Sequence, residues 1–318
     1  MGVTRWRREA GDLLRTSSPS TLAKIESSIG ALGKNGNSAS RPPAFLAARG
    51  PLMATAARAA MLASLVSGSC ASRVAPDARR LILVRHGAVN RELANPKIKP
   101  GGFYGGNVDV PLSDVGEAEA LAAAKRIAAD HFGEVHSIWS SPMRRALFGA
   151  RAIGTALAVA GGEQPGEEWQ PPMEIATFEA FREVDRGPIG QGWTDMTVEE
   201  IEARDGPNAL EKFSLESTPG AFREVNGGEG FCDVRLRVLR QRDEMLQALP
   251  LGSAGVIVSH MWVTRAIVGE ALEEPNPMKV DIPTASISVI DYPEGFTKAD
   301  DFDTVKPLVQ SVGFKPEI

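Results

Sequence analysis

The stretch Leu81-Ile82-Leu83-Val84-Arg85-His86-Gly87 predicts both a fold class and the position of a site. Its first four residues are leucine or β-branched, a composition typical of a strand buried on both faces of a parallel sheet. The run stops at Arg85 and His86, and the following glycine favours a turn. Open α/β sheets bind ligands in the crevice outside the carboxyl ends of such strands. A guanidinium beside an imidazole at that position indicates an anionic ligand, phosphate above all.

Two further segments place the same kinds of side chain after apolar strands. Val256-Ile257-Val258-Ser259-His260 repeats the order of apolar run and histidine. Ile138-Trp139-Ser140-Ser141-Pro142-Met143-Arg144-Arg145 ends a third predicted strand and turns at the proline into a helix with arginine in its first turn. The carboxyl ends of parallel strands meet at one edge of a sheet. We therefore expect two histidines and two arginines to converge there.

Five sequence blocks, in this order, resemble those of the histidine phosphatase superfamily, which has the phosphoglycerate mutase-like fold. They are Arg85-His86-Gly87, Asp109-Val110-Pro111-Leu112-Ser113-Asp114-Val115-Gly116, Ser141-Pro142-Met143-Arg144-Arg145-Ala146, Phe181-Arg182-Glu183-Val184-Asp185, and Val258-Ser259-His260 with Arg265. Each block alone is a weak signal, because a tripeptide such as Arg-His-Gly arises by chance. Five in sequence order make a strong one. They indicate a catalytic domain at about residues 80–292.

The resemblance and the apolar pattern together predict an α/β fold, a three-layer α/β/α sandwich with a mostly parallel central sheet and a small helical cap insertion. The pattern predicts strands at residues 81–85, 136–140, 256–260 and 286–291. It predicts helices at about residues 114–131, 143–159, 196–204, 232–248 and 262–271. Residues 193–229 resemble the specificity cap of the phosphatase branch.

The resemblance implies a reaction through phosphohistidine. His86 would attack phosphorus as a neutral imidazole, which requires an acceptor that holds the other ring nitrogen; in this family a backbone carbonyl does so. Arg85, Arg145 and His260 would bind the phosphate. Phosphoryl transfer spreads charge over the phosphate oxygens, so forked guanidinium donors stabilise its transition state. The spacing of the motif favours Arg145 over Arg144 for this role.

A leaving alkoxide needs a proton, and a nearby carboxylic acid supplies it. The residues alone leave Glu179, Glu183 and Asp185 open as candidates. The resemblance selects Glu183 as general acid and base, because it takes the acid's place in the family's Leu-Arg-Glu-x-x-x-Gly pattern. Asn90 is carried over as a phosphate contact, although it lies two residues before the asparagine that the family usually employs.

Departures from the family pattern keep other interpretations open. Met261 stands where glycine usually follows the second histidine, and Ala88 and Val89 replace a glutamate and a hydroxyl residue that commonly follow Arg-His-Gly. One alternative is a non-catalytic phosphate-binding regulatory protein. Another is a phosphoglycerate mutase-type phosphotransferase, but the acid block Arg182-Glu183-Val184-Asp185-Arg186-Gly187 differs from that of the glycolytic mutases and favours a phosphatase.

Composition restricts the partners. The chain has 318 residues, a net charge of −5 and 43% hydrophobic residues, enough for a large α/β core. The acidic catalytic part lacks interleaved basic and aromatic residues, which argues against nucleic acid. No His, Cys and carboxylate spacing predicts a metal site. We expect no cofactor, no metal and no membrane, and a substrate that is a small-molecule phosphomonoester or a phosphoprotein; the oligomeric state is not predicted.

Residues 1–79 differ in composition from the rest of the chain. They hold eleven Lys/Arg and four Asp/Glu, a net charge of +7, so residues 80–318 carry −12. Such a segment, rich in Ser, Ala and Arg, is typical of an organelle transit peptide. A disordered tail, or a secretory signal within residues 52–66, is the alternative; those residues contain Arg58 and are too few to span a bilayer. We expect a plastid or mitochondrial protein, otherwise a cytoplasmic one.

The last residues follow the predicted final strand. Residues 293–318 are expected to form a C-terminal extension that packs on the surface or stays mobile.

Overall fold

The computed structural model describes residues 73–93, 99, 102–103, 106–162, 173–185, 187, 193–215, 219–220, 228–296 and 305–318. The predicted transit segment lies outside the described residues up to residue 72. Organelle import therefore stays a prediction.

Six strands form one mixed sheet. They are β1 (Ala78–Arg85), β2 (Val135–Ser140), β3 (Ile175–Thr177), β4 (Ala254–Ser259), β5 (Ile287–Pro293) and β6 (Leu308–Phe314), in the spatial order β3-β2-β4-β1-β5-β6. Neighbouring strands from β3 to β1 are parallel, whereas β5 is antiparallel to both β1 and β6. The mostly parallel sheet expected from the sequence is confirmed.

Helices cover both faces of the sheet. The helices are α1 (Asp114–His131), α2 (Arg144–Ala160), α3 (Val198–Asp205), α4 (Ala209–Leu215), α5 (Phe231–Ala248) and α6 (Met261–Ala271). Single 3-10 turns occur at Arg91–Leu93, Glu179–Phe181 and Pro277–Lys279. One apolar cluster joins the sheet to α1 and α2, and a second joins its other face to α5 and α6. These layers form the predicted α/β/α sandwich.

β1 shows why the sheet is buried on both sides. Successive side chains of a strand point to opposite faces. Leu81 and Leu83 belong to the cluster with α5 and α6, whereas Ile82 and Val84 belong to the cluster with α1 and α2. All four side chains are buried. An uninterrupted apolar run, rather than an alternating one, is therefore what this strand requires.

The cap insertion contains two short helices, α3 and α4, between β3 and α5. Thr197 caps α3, and its hydroxyl accepts a hydrogen bond from the amide of Glu200 at 3.3 Å. Trp193, Ile201 and Ala209 form a small apolar cluster of their own. The predicted helical cap is confirmed, with a second helix that the sequence pattern did not indicate.

The C-terminal segment differs from expectation. Leu308–Phe314 pair with β5 as an edge strand, so an extension that only covers the surface or stays mobile is wrong for these residues. The half-exposed Leu308 and the glycine at position 313 weaken the apolar pattern of an edge strand, which leaves little sequence signal. Across the described parts of the chain, no helix has the length and apolar character needed to cross a membrane.

Candidate active site

Four adjacent parallel strands end at the same edge of the sheet, and each leads into a residue of the expected site. β1 ends at Arg85 and continues to His86, and β4 continues to His260. β2 continues through Ser141 into α2, which carries Arg145, while β3 leads through a 3-10 turn to Glu183. Arg85 pairs in register with Ser259, so the ends of β1 and β4 are level. The topology therefore brings together residues far apart in sequence.

The His86 ring is held in one tautomer. Its Nδ1 lies 2.7 Å from the carbonyl oxygen of Gly87, and because a carbonyl only accepts, Nδ1 carries the hydrogen and donates it. The lone pair is then on Nε2. The main chain is fixed as well, since the amide of His86 donates to the carbonyl of Ser259 at 2.9 Å and its carbonyl accepts from Ala285 at 3.1 Å.

His260 lies against His86. The two ring centroids are 5.1 Å apart, and the rings meet edge to face at 63°. Nε2 of His260 is 2.8 Å from the hydroxyl of Ser141, while Nδ1 is buried with no hydrogen-bond partner in the described structure. The same hydroxyl lies 3.3 Å from the amide of Met143 and accepts from it, so its own proton is available to Nε2. A hydroxyl proton donated to Nε2 would place the ring hydrogen on Nδ1, where a bound anion could accept it.

The structure separates the two neighbouring arginines of α2. Arg145 is fully buried and donates to the carbonyls of Gly106 at 2.7 Å and Val108 at 2.8 Å. Arg144 points outward, with 55% of its side chain exposed, and pairs with Asp109. Arg145 is therefore the arginine that lies inside the site, as the motif spacing predicts. On the opposite side, Arg85 donates to the carbonyl of Ile282 at 2.6 Å.

Burial and positive charge keep both rings neutral. Burial holds the pKa of His86 well below its ordinary value, and the charges of Arg145 and Arg85 lower it further. Burial also holds the pKa of His260 well below its ordinary value, and the positive charge of Arg145 lowers it further. A neutral, desolvated imidazole among guanidinium groups can act as a nucleophile and hydrogen-bond donor, and the surplus positive charge favours an anion.

Glu183 is buried just beyond the 3-10 turn that follows β3. Its Oε1 accepts from the amide of Val184 at 2.9 Å, and Oε2 has no hydrogen-bond partner within the described ranges. A Cβ atom at Gly106 would lie 2.1 Å from Cγ of Glu183, so this glycine gives the carboxylate room. The carbonyl of Gly106 accepts from Arg145, which joins the acid segment to the anion pocket. Of the three carboxylates open from sequence, Glu183 is the one that is buried.

Asn90 does not join this group. Its Oδ1 accepts from the amide of Glu92 at 3.1 Å, a local turn contact that begins the 3-10 helix at Arg91–Leu93. Among the described residues, none of its hydrogen bonds reaches the histidines or arginines of the site. A phosphate contact by Asn90 stays a prediction.

The side chain of Met261 packs at the edge of the apolar core. It is the first residue of α6, and its half-buried side chain packs against the apolar cluster of α5 and α6. His260 is the N-cap of that helix, with extended backbone (φ −123°, ψ 171°), so no left-handed conformation is required next to Met261. A side chain there is accommodated by packing.

Sequence reasoning missed the residues that hold the main chain after His86. Buried Glu119, in α1, accepts from the amide of Ala88 at 2.7 Å and from the hydroxyl of Thr284 at 3.0 Å. Lys315, just past β6, donates to the same carboxylate at 2.5 Å. Gly87 and Gly116, in the first two sequence blocks, lie close to Ala88 and Glu119 in the chain. No local sequence pattern, however, joins positions 88, 119 and 315.

Within the described ranges, no three His, Cys, Asp or Glu side chains cluster as metal ligands do. The expectation of a metal-free site stays a prediction.

Residues 81–303 match the family model of the histidine phosphatase superfamily (branch 1). A bifunctional protein of Mycobacterium tuberculosis is 27% identical over 239 residues, which cover 74% of this chain and 54% of that protein. The chain thus spans about half the length of that relative. Glucosyl-3-phosphoglycerate phosphatase of Mycolicibacterium vanbaalenii is 31% identical over 203 residues, which cover 62% of this chain and 76% of the relative.

A solved structure agrees with the fold. A mycobacterial glucosyl-3-phosphoglycerate phosphatase superposes with a TM-score of 0.56 at 22% identity, over 75% of this chain and 100% of that one. The likeness extends over the sandwich and its sheet.

Proposed function

Because the chain belongs to the histidine phosphatase superfamily (branch 1), we propose that it is a metal-independent phosphomonoesterase that works through a phosphohistidine on His86. One observation above all supports this: Nδ1 of His86 donates to the Gly87 carbonyl at 2.7 Å, which leaves the Nε2 lone pair available in a pocket with two arginines. An imidazole held in this way is an activated nucleophile rather than a structural histidine.

In the first step, Nε2 of His86 attacks phosphorus and the ester P–O bond breaks. Protonated Glu183 gives its proton to the leaving alkoxide. In the second step, the Glu183 carboxylate takes a proton from water, the resulting hydroxide attacks phosphorus, and the P–N bond breaks to release inorganic phosphate. Glu183 returns to its protonated form, so acid and base roles alternate in one carboxyl group.

Three groups bind the transferred phosphoryl group. Arg85 and Arg145 neutralise the equatorial oxygens, and each is oriented by backbone carbonyls, so little freedom is lost when phosphate binds. His260 donates from Nδ1, because Ser141 occupies Nε2. A donor that is buried without a partner costs stability, and phosphate would remove that cost.

The substrate class is a small-molecule phosphomonoester. The relative named glucosyl-3-phosphoglycerate phosphatase supports this class over a phosphoprotein. Mutase activity would require a second phosphate acceptor to reach phosphohistidine before water, and a purely regulatory phosphate-binding protein would bind phosphate without turnover. Phosphate binding without turnover would identify the regulatory protein, and transfer of phosphate to a second acceptor in place of release as inorganic phosphate would identify the mutase.

The test is phosphate release from 4-nitrophenyl phosphate by the full chain in EDTA. We expect chelator-resistant turnover, and we expect His86→Ala to lower it more than about a thousandfold. His136→Ala is the matched control, because His136 is exposed on β2 and, among the described residues, its side chain contacts neighbouring Ser137. Acid-stable transfer of labelled phosphate to protein should be absent, whereas alkali-stable labelling should appear and depend on His86.

Two results would count against the proposal. Turnover lost in EDTA and restored by a divalent metal would indicate a metal-dependent phosphatase. Phosphate binding by a folded protein with no turnover on any monoester would favour the regulatory alternative.

A further inference from the structure

One arginine of α5 holds the main chain next to Glu183. Arg237 lies in the second turn of that helix, and its Nη1 donates to the carbonyls of Ala180 at 2.6 Å and Arg182 at 3.0 Å. Arg182 is the residue directly before Glu183. The guanidinium therefore binds the backbone that leads into the candidate acid, without touching its carboxylate.

Glu229 binds the other side of the same segment. Its carboxylate forms a forked pair with Arg237, at 2.7 Å to Nε and 2.9 Å to Nη2. The same carboxylate accepts from the amide of Asp185 at 3.1 Å, and the amide of Glu229 donates to the Asp185 carbonyl. We call these two side chains the Arg237–Glu229 clamp.

The clamp completes a fixed frame around the acid. Phe181 and Val184 are fully buried, so apolar packing holds the segment on either side of Glu183. Packing is not directional, however, and the backbone carbonyls and amides of this segment need partners. The clamp supplies them on both sides of position 183. Its two side chains are only 23% and 15% exposed, so the pair is shielded from competing water.

We propose that Arg237, through its pair with Glu229, is a positioning residue that aims the general acid at the leaving oxygen. The inference rests on the proposed function, because it assigns to Glu183 the proton that the leaving group receives. Arg237 acts through the backbone and contacts no reacting atom. A bidentate guanidinium is required, since a lysine ammonium cannot serve two carbonyls and a carboxylate fork together.

The test is the dependence of kcat/KM on the leaving group. This ratio reports the steps up to release of the alcohol, so it isolates protonation by Glu183 from later attack by water. A series from 4-nitrophenyl phosphate to phenyl phosphate and β-glycerol phosphate spans good to poor leaving groups. Only poor ones need the acid.

We expect Arg237→Met to lower kcat/KM for β-glycerol phosphate about tenfold or more, and for 4-nitrophenyl phosphate about threefold or less. The slope of log kcat/KM against leaving-group pKa should steepen, as it should in Glu183→Gln. Arg237→Lys should steepen it too. The matched control is Arg240→Met, because Arg240 lies on the same helix with 85% of its side chain exposed and pairs with Glu244; it should keep the wild-type slope.

Further variants separate a loss of positioning from a folding defect and from a failure of the proposed function. Glu229→Gln tests the clamp from its other side if Arg237→Met does not fold, and it should also steepen the slope. If Glu183→Gln steepens the slope while the folded clamp variants lower every substrate equally, positioning is overturned and the proposed function stands. If the wild type hydrolyses no member of the series, the proposed function and this inference fall together.

Discussion

Gly87 and Gly116 approach so closely that neither position has room for a side chain. A Cβ atom on Gly87 would lie 2.1 Å from the carbonyl oxygen of Gly116, and one on Gly116 would lie 1.9 Å from the carbonyl oxygen of Ala88. Backbone meets backbone here, so no rotamer change can relieve the overlap. The contact sets the first turn of α1 against the segment that follows His86, and it explains why both sequence blocks contain a glycine.

Gly116→Ala is therefore expected to destabilise the protein by about 1–3 kcal/mol, because the backbone must separate to admit one methyl group. His86 would move with it, so activity should fall as well. Urea unfolding gives the free energy.

Gly269→Ala is the control for that substitution. A Cβ there would meet ordinary contacts at 3.6 Å or more, inside helix α6. It should be neutral, or stabilising by up to about 1 kcal/mol from helix propensity. Equal free energies for the two variants would show that the tight approach is not needed.

Ser141→Ala should weaken anion binding through His260. The serine hydroxyl lies 2.8 Å from Nε2 of His260, and in the proposed phosphate complex it donates there while Nδ1 donates to the anion. Without it, the ring loses the partner that fixes its tautomer, and we expect inhibition by inorganic phosphate to weaken about tenfold, which corresponds to about 1.4 kcal/mol.

Ser140→Ala controls for disturbance of the same segment. The Ser140 hydroxyl donates to the Ser141 carbonyl rather than to a ring, so phosphate inhibition should stay within about twofold of the wild type. The role assigned to Ser141 would be untenable if the two variants bound phosphate equally well.

The sequence predicted the strands and helices that carry strong apolar patterns. β1, β4 and β5 were expected because each contains a long buried run, and β2 was expected from its apolar end before the Ser141-Pro142 turn. β3 has only three residues, and β6 is an edge strand with an exposed leucine, so neither produces such a run. These elements form because neighbouring strands offer hydrogen bonds, which is information that lies outside the segments themselves.

The candidate site also has a part that the sequence predicts and a part that it does not. Residues inside short motifs, such as His86 and Arg145, could be assigned from spacing and resemblance. Their supporting partners could not, because the contact between His260 and Ser141 joins positions 119 residues apart. Arg237 and Glu119 sit in ordinary helical sequence, and only the folded chain shows which backbone groups they hold.

Acid should destabilise the fold through its buried histidines. Burial lowers the pKa of His86, His260 and His131, so in the folded protein they resist protonation while the unfolded chain takes up protons below about pH 6.5. Their stabilising contribution is complete above that pH and is lost as pH falls below it. Each histidine can cost up to about 1.4 kcal/mol per pH unit.

Urea unfolding between pH 7.5 and 5 measures this loss. The wild type should lose stability steeply, and His86→Asn should lose less over the same range because one proton-binding difference is gone. Parallel curves for the two proteins would mean that His86 does not resist protonation in the fold.

Lys315 should stabilise the segment after His86 by compensating the buried charge of Glu119. Burial alone would raise the pKa of Glu119, but hydrogen bonds from Lys315, Ala88 and Thr284 together hold it below its ordinary value. Lys315→Met leaves that carboxylate without its cation, and we expect a loss of about 1–3 kcal/mol in the free energy of unfolding. The variant's loss should shrink as the pH falls, because Glu119 without its cation takes up a proton more readily.

The pair is tested by a double-mutant cycle. Glu119→Gln keeps an acceptor for the amide of Ala88 and removes the charge, so in that background Lys315→Met should cost less than about 0.5 kcal/mol. Lys306→Met is the control, because Lys306 pairs with Glu273 at an exposed position and should contribute little in either background. If the effects of Lys315→Met and Glu119→Gln were simply additive, Lys315 would stabilise the C-terminal strand by some route other than the carboxylate that binds Ala88.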